Sequence, residues 1–552
     1  MLTVLYARSS WRRRFGCGLM AAVLFTVSIY AAEKPASPVD VAIERGEYAR
    51  AAALQWALVR DSADPHERET AARLAYDWSQ YAVLTSICED WLKREPKSET
   101  AHRFLAVAAL ELDHRSVAAR ELEWLLVTAY PTPNEGFESL GRSLSELRNR
   151  AGVAFVMRKL AAQHPESGEA QLQAASLLLA AGDAADAQAA AQRARELGRR
   201  RQGRAFEARA HVLAGDCEQG LALAAPLGTD IRDLDRLTEA WLMMLCERGA
   251  EAESILRDLA QRPDQRAAAL EALASHELET HRNESAGRHY AELGKAGESA
   301  AAQFGLAALA ERMGDSGRAA AMYSAITSGR HAVEAQLRAY RLHVASDGAD
   351  LADRVFDEFV YANPDLRRDL TVGRMLAMAE NGRGEEAIAL AARVEKAYPD
   401  AEEITRAKAE VMVRLGRIVD ATAALEGLLS RRPDDPAAQN ALGYTLADAG
   451  WDLRRADRLL QAACAQAPDN AAYLDSLGWL RFRQHNVLAA REKLTRAYRL
   501  QPDAEIAGHL AEVLIASADA SEAERFIAVA LDRFPSNPRL LRLQQAYSKG
   551  AP

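Results

Sequence analysis

PDNAAYLDSLGWLRFRQHNVLAAREKLTRAYRLQP, running from Pro468 to Pro502, holds the pattern on which the whole chain can be read. Its two end prolines stand 34 residues apart, with Leu477-Gly478 in a first helical stretch, Ala490 opening a second, and Leu494 and Ala497 continuing it. Each position has a mechanical task. Small residues such as Gly478 and Ala490 let two antiparallel helix backbones approach where they cross. Leu477 and Leu494 fill the space between the helices. A proline stops the second helix, because its ring nitrogen has no hydrogen to donate.

The pattern repeats on both sides. Before it stand Leu442-Gly443, Ala456, Leu460, Ala463 and Pro468, with one extra residue at Gly450-Trp451-Asp452. After it stand Leu510-Ala511, Ala523, Ile527, Ala530 and Pro535. Three consecutive copies in one register resemble the tetratricopeptide repeat (TPR), whose unit of about 34 residues carries a Leu-Gly pair, a small, a bulky and a second small residue, and a closing proline. One such hairpin cannot bury its apolar face alone, so copies must stack. The fold expected is all-α: a right-handed superhelical solenoid of stacked TPR and TPR-like helix hairpins.

Upstream the signals weaken but keep their phase. Pro399 and Pro433 are again 34 apart, with Ala387 and Ala421 in the small position and Gly382 and Gly416 at the turn. Gly314-Asp315, Gly215-Asp216, Gly182-Asp183 and Gly46 mark further turns. Around Asp113-His114, Asn149 and His281 the turn glycine is missing, while Ala118 and Ala286 remain. The spacing predicts about fourteen or fifteen units. Degenerate TPR-like repeats fill 39–434, well-formed repeats 435–536, and a capping helix with a tail 537–552. Arg539, Arg542, Gln544 and Gln545 suit the polar outer face of that cap.

Residues 1–32 carry Arg8, Arg12, Arg13 and Arg14 and no acid, then the apolar run Leu19 to Ile29 ending at Tyr30-Ala31-Ala32. This is the layout of a cleaved export signal, with an uncleaved anchor as the alternative and residues 33–38 as a short linker. A twin-arginine route is the lesser reading, since Trp11 and Gly16 replace the usual flanking residues. Cys17 precedes the apolar run, so no lipidation site follows it.

Composition agrees with a long helical array. The 552 residues are 49% hydrophobic, 6% aromatic and 27% charged, with no change of composition and no Gly/Ser or Pro-rich linker after residue 38. One continuous array is therefore expected. The net charge of -9 becomes -13 without the signal, a balance that repels phosphate backbones and argues against a nucleic-acid partner. The one basic cluster, Arg199-Arg200-Arg201 with Arg204, reads as a solvated turn with cations at a helix C-terminus.

No constellation for catalysis stands out, and no metal or cofactor is expected. His276 and His281 lie five apart and diverge by about 140° on a helix, whereas metal-binding histidines on one face are four apart. Phosphate loops, nucleophile elbows and paired Cys-x-x-Cys ligands are absent from the sequence. The chain reads as non-catalytic.

The candidate site is the groove lined by the first helix of each well-formed unit. Its outward face carries Asn440, Tyr444 and Asp448, then Asp475, Trp479, Phe482 and Arg483, then Glu505, His509 and Glu512. Acids and an amide beside aromatics suit an extended peptide segment of another protein. The competing reading packs Trp479 and Phe482 between repeats and leaves the acids to solvate the surface. The Lys/Asn/Arg clamp that holds C-terminal carboxylates in some TPR proteins is not present at these positions.

Four cysteines remain beyond the signal. Cys88 and Cys464 fall at helix-packing positions. Cys217 begins the second helix of one unit and Cys246 ends the first helix of the next, on one edge of adjacent units. A disulfide between them is a candidate if the Cα atoms come within about 4.4–6.8 Å. The direction of each Cβ decides between that bridge and two free thiols.

The runs Asn440 to Asp448, Leu474 to Trp479 and Pro502 to Val513 resemble the LbcA-type exported TPR adaptor lipoproteins of Gram-negative bacteria. That resemblance implies a periplasmic scaffold or adaptor associated with the outer membrane, binding a C-terminal processing protease and its substrates in cell-envelope proteolysis. The missing lipidation cysteine is a departure and does not carry membrane anchoring over. The alternative is a structural TPR subunit of an envelope polysaccharide-export or secretion machine.

Overall fold

The computed structural model describes residues 37–548 except 46, 63, 226–232, 364–365, 400, 518–519 and 535–536. The expected export signal 1–32, the expected linker up to residue 36, the turn residue Gly46 and the closing Pro535 lie outside the described residues. Among the described residues the regular structure is helical without strands: fifteen consecutive helix pairs, from Pro38–Glu44 with Tyr48–Val59 to Ala504–Ala516 with Ala520–Arg533, and a last helix Pro538–Ser548. The chain is an all-α solenoid of helix hairpins.

The pair Ala471–Arg483 and Val487–Leu500 shows how sequence makes the hairpin. Asn470 and Asn486 start the two helices, each side-chain oxygen accepting a backbone N–H three residues on, from Tyr473 at 3.2 Å and Ala489 at 3.2 Å. Ala490, Leu494 and Ala497 are fully buried and Leu477 nearly so. A Cβ on Gly478 would stand 2.7 Å from Leu494 Cγ, closer than carbon atoms pack, and one on Gly443 would stand 2.7 Å from Leu460 Cγ. Ala456 and Leu460 repeat the arrangement one unit earlier, both fully buried. Pro468 and Pro502 follow the ends of Leu453–Gln466 and Val487–Leu500. Burying a Leu side chain in this way contributes about 1.5–3 kcal/mol, so each unit stabilises its neighbours.

Where the sequence predicts one continuous array, the described residues group into two compact units, each discontinuous in sequence: those within 1–180, 196–199 and 306–404 in the first, and those within 181–195, 200–305 and 405–552 in the second. Within the first, distant segments meet through charge and aromatic contacts. Arg148 pairs with Asp369 at 3.5 Å, and Arg367 lies over the Tyr48 ring at 4.9 Å. Within the second, the Ala184 N–H donates to Asp469 Oδ2 at 2.8 Å across 285 residues. Repeats here contact more than their sequence neighbours.

Two expectations need correcting. Arg200, Arg201 and Arg204 belong to the helix Arg200–Leu213, at its N-terminal end rather than in a turn after a helix. The Arg204 guanidinium donates to the Ala225 carbonyl, and Arg199 pairs with Glu169 at 2.9 Å. In the last helix Arg542, Gln544 and Gln545 are exposed, but Arg539 turns inward.

Candidate functional site

The residues expected to line the groove come together in the second unit, but not all of them face outward. Asp475, Trp479 and His509 are buried, at 6%, 3% and 0% exposure. His509 Nδ1 lies 2.8 and 3.0 Å from the two Asp475 oxygens, and since an ionised carboxylate only accepts, the ring nitrogen donates. The imidazole stacks on the Trp479 indole, with centroids 4.3 Å apart and planes 22° apart. The Trp479 indole N–H donates to Asp448 Oδ1 at 3.0 Å.

The reason lies in the helix geometry. The face that looks into the groove and the face that meets the next repeat are adjacent on one helix, and residues from successive units share the seam. Asp448, Trp479 and His509 come from three consecutive first helices: Pro436–Ala449, Ala471–Arg483 and Ala504–Ala516. Asp475, Trp479 and His509 therefore pack between repeats, which for Trp479 is the competing reading given above. Phe482 joins them, 5.3 Å from the Trp479 ring and packed against the Leu494 cluster.

Above this buried layer lies an accessible one. The half-buried Tyr444 donates its hydroxyl to Glu505 at 3.1 Å, and its ring centroid is 6.0 Å from His509. Glu505 is exposed at the surface. Even so, desolvation by its neighbours raises its carboxyl above the ordinary range, with Asp475 adding to the shift and His509 and the Tyr444 hydroxyl opposing it. Burial and the surrounding carboxylates of Glu505, Asp448 and Asp475 push the Tyr444 phenol well above its usual value, so it stays a donor at neutral pH. Arg483 is exposed, and Asn440 is half-buried with no hydrogen bond to its amide oxygen among the described residues.

One participant escapes sequence reasoning. Arg539 of the last helix places its guanidinium 4.8 Å from the Trp479 ring centroid and donates to Glu512 at 2.6 Å. The nearest signal is Gly508, where a Cβ would stand 2.7 Å from Arg539 Cδ. Nothing in the repeat spacing marks it. The charge-paired arrangement can order a wall and bind polar groups. Among the described residues no group of three His, Cys, Asp or Glu side chains could hold a metal ion, and no helix is long and apolar enough to cross a membrane.

The cysteines divide as their surroundings dictate. Cys217 and Cys246 are joined, with Cα atoms 5.8 Å apart, beside the apolar cluster of Ala208, Val212 and Leu242. Cys88 is a buried thiol and Cys464 a half-buried one, neither of them bonded. Burial pushes the Cys464 thiol up to about 11 despite nearby Lys493 and Arg496.

A tetratricopeptide repeat family model matches residues 378–443. A TPR repeat-containing protein of Pseudomonas aeruginosa is 31% identical over 212 residues, which is 38% of this chain and 36% of the relative, so the match spans about a third of the relative's length. Among solved structures, a thermophilic TPR protein of Thermus thermophilus is 23% identical over 33% of this chain and 97% of its own, with a TM-score of 0.30. The Cut9–Hcn1 hetero-tetramer of the APC/C is 15% identical over 88% of this chain and 97% of its own, with a TM-score of 0.31. These overlaps are too loose to argue from, and the fold rests on the hairpins themselves. Over residues 378–443 and over the span shared with the bacterial relative, this chain is similar to tetratricopeptide repeat proteins.

Proposed function

We propose that this protein is a non-catalytic periplasmic scaffold whose C-terminal groove binds an extended segment of another protein. TPR proteins in general act as protein-interaction scaffolds. The observation that carries the reading is a two-layer wall: Asp475, His509 and Trp479 buried and mutually paired, with Tyr444 and Glu505 held above them at the surface. A wall ordered before binding loses little freedom when a partner arrives. The resemblance of the last quarter of the chain to LbcA-type adaptors supports a C-terminal processing protease, together with its substrates, as the partner. The basic and apolar leader supports export, which fractionation of expressing cells checks.

The test uses the purified chain with a purified C-terminal processing protease. Co-elution is expected with the wild type. Glu505→Lys, which reverses an exposed charge and removes the acceptor of the Tyr444 hydroxyl, should weaken binding about tenfold or more while the melting temperature stays near that of the wild type. No co-elution with the wild type, or equal binding by the variant, overturns the protease reading. Recovery of polysaccharide-export or secretion subunits from envelope extracts would favour the structural-subunit alternative.

A further inference from the structure

Away from the groove, the second unit holds a cavity of about 430 Å³ between two segments far apart in sequence. One wall is the helix Val487–Leu500, contributing Arg491, Arg496 and Arg499; the other is the turn Leu213 to Gly215. Buried Asp469 accepts the Ala184 N–H with one carboxylate oxygen and the Arg496 guanidinium with the other, so it fixes Arg496 of the first wall in place. On the opposite wall, Cys217 lies two residues beyond Gly215 and is bonded to Cys246.

The charge on this lining runs against that of the chain. The protein carries a net -9, yet three guanidinium groups face this space against one carboxylate, Glu492, which accepts from Lys493 at 3.0 Å. Arg491 commits one terminal nitrogen to both oxygens of Glu522, at 2.7 Å each, and Arg496 is held by Asp469. Arg499 is exposed and makes no ion pair among the described residues. Arg491 and Arg499 lie eight residues apart on one helix, about 80° from each other around its axis and so on one broad side of it. A guanidinium group presents a planar fork of donors that matches a phosphate group, and Arg499 has its fork free of an ion pair among the described residues. A cavity of this volume falls in the range that small ligands occupy.

We propose that this cavity is a binding site for a phosphate-bearing ligand, with Arg499 the group that directly pairs with the anion and Arg491 and Arg496 setting the field around it. The site is separate from the protein-binding groove and does not depend on that reading. The phosphate can belong to a free small molecule or to a lipid headgroup.

Calorimetric titration of the full chain with pyrophosphate at constant ionic strength tests it, beside co-sedimentation with phosphatidylglycerol vesicles. Saturable binding of pyrophosphate is expected, weakened about tenfold in Arg499→Gln, the loss of one charge-assisted contact. The melting temperature and helical content of that variant should match the wild type, because the exposed Arg499 makes no ion pair among the described residues. Vesicle binding that falls in the same variant assigns the phosphate to a headgroup; pyrophosphate binding without vesicle binding assigns it to a free molecule. The proposal is overturned if the wild type binds neither probe, or if Arg499→Gln binds as the wild type does.

Discussion

The turns at Gly416 and His485 occupy equivalent places two units apart, and they reach one conformation from unequal starting points. Gly416 has φ 74° and His485 φ 61°, both left-handed. The same backbone bonds close each: Gly416 N–H to the Val413 carbonyl at 2.9 Å and Arg417 N–H to Met412 at 2.8 Å, against His485 to Phe482 at 2.8 Å and Asn486 to Arg481 at 2.9 Å. Glycine adopts this φ without steric penalty, whereas a residue with a Cβ is destabilised by roughly 1–2 kcal/mol. Yet Ala421 and Ala490, the small residues that follow, are equally buried. Ser79, Asp113, Glu247 and His281 hold positive φ at other turns in the same manner. The helix crossing therefore imposes the turn, and the turn residue only eases or strains it.

If the crossing dominates, a brace across neighbouring hairpins should matter more than any one turn. The largest expected effect is at the disulfide, beside the Gly215 turn. Cys217→Ser should destabilise the second unit by about 2–4 kcal/mol, read as a lower melting temperature under oxidising conditions and little difference under reducing ones. Equal melting in both conditions would show that the bridge braces nothing.

An ionic brace sharpens the same point in the first unit, near the Gly382 turn. Asp353 accepts from the Tyr340 hydroxyl at 2.8 Å and from Arg374 and Arg383 at 2.7 Å each. Burial pushes its carboxyl up, but the two guanidinium groups and the phenol outweigh that and hold it down at about 2. A depressed folded-state value stabilises above the unfolded value near 3.8, and the contribution is lost as pH falls toward about 2. Asp353→Asn should lower stability at neutral pH and flatten its decline between those two values. A slope unchanged in the variant would assign the acid sensitivity elsewhere.

The same comparison explains what the sequence made legible. Gly478, Ala490 and Leu494 could be read because sterics at a crossing admit few side chains. The missing glycines at Asp113 and His281 did not obscure their hairpins, since Ala118 and Ala286 kept the phase. The grouping of residues around Asp469 was not legible, because its partner Ala184 lies 285 positions away and no period links them. Nor was the burial of Trp479 and His509 settled by sequence. A helix position on the border between groove and neighbouring repeat has the same spacing whichever way its side chain turns. Arg539 was lost for a related reason: its helix, Pro538–Ser548, has no second helix among the described residues to set its register.

One hairpin allows the central claim to be tested directly, because Ala471–Arg483 and Val487–Leu500 contain both a strained turn and a closely packed crossing. Thermal melting of Ala490→Trp and His485→Gly, followed by circular dichroism, sets the two against each other. The His485 side chain is exposed and holds no hydrogen bond among the described residues, so glycine there removes the strain with no lost contact, against a smaller cost from the freer unfolded chain. Ala490→Trp is expected to lower stability by about 1–3 kcal/mol or more through overpacking, and His485→Gly to raise it by about 1 kcal/mol. A tolerated tryptophan at 490, or a glycine at 485 that destabilises the hairpin, would contradict the claim that the crossing, and not the turn, sets the repeat.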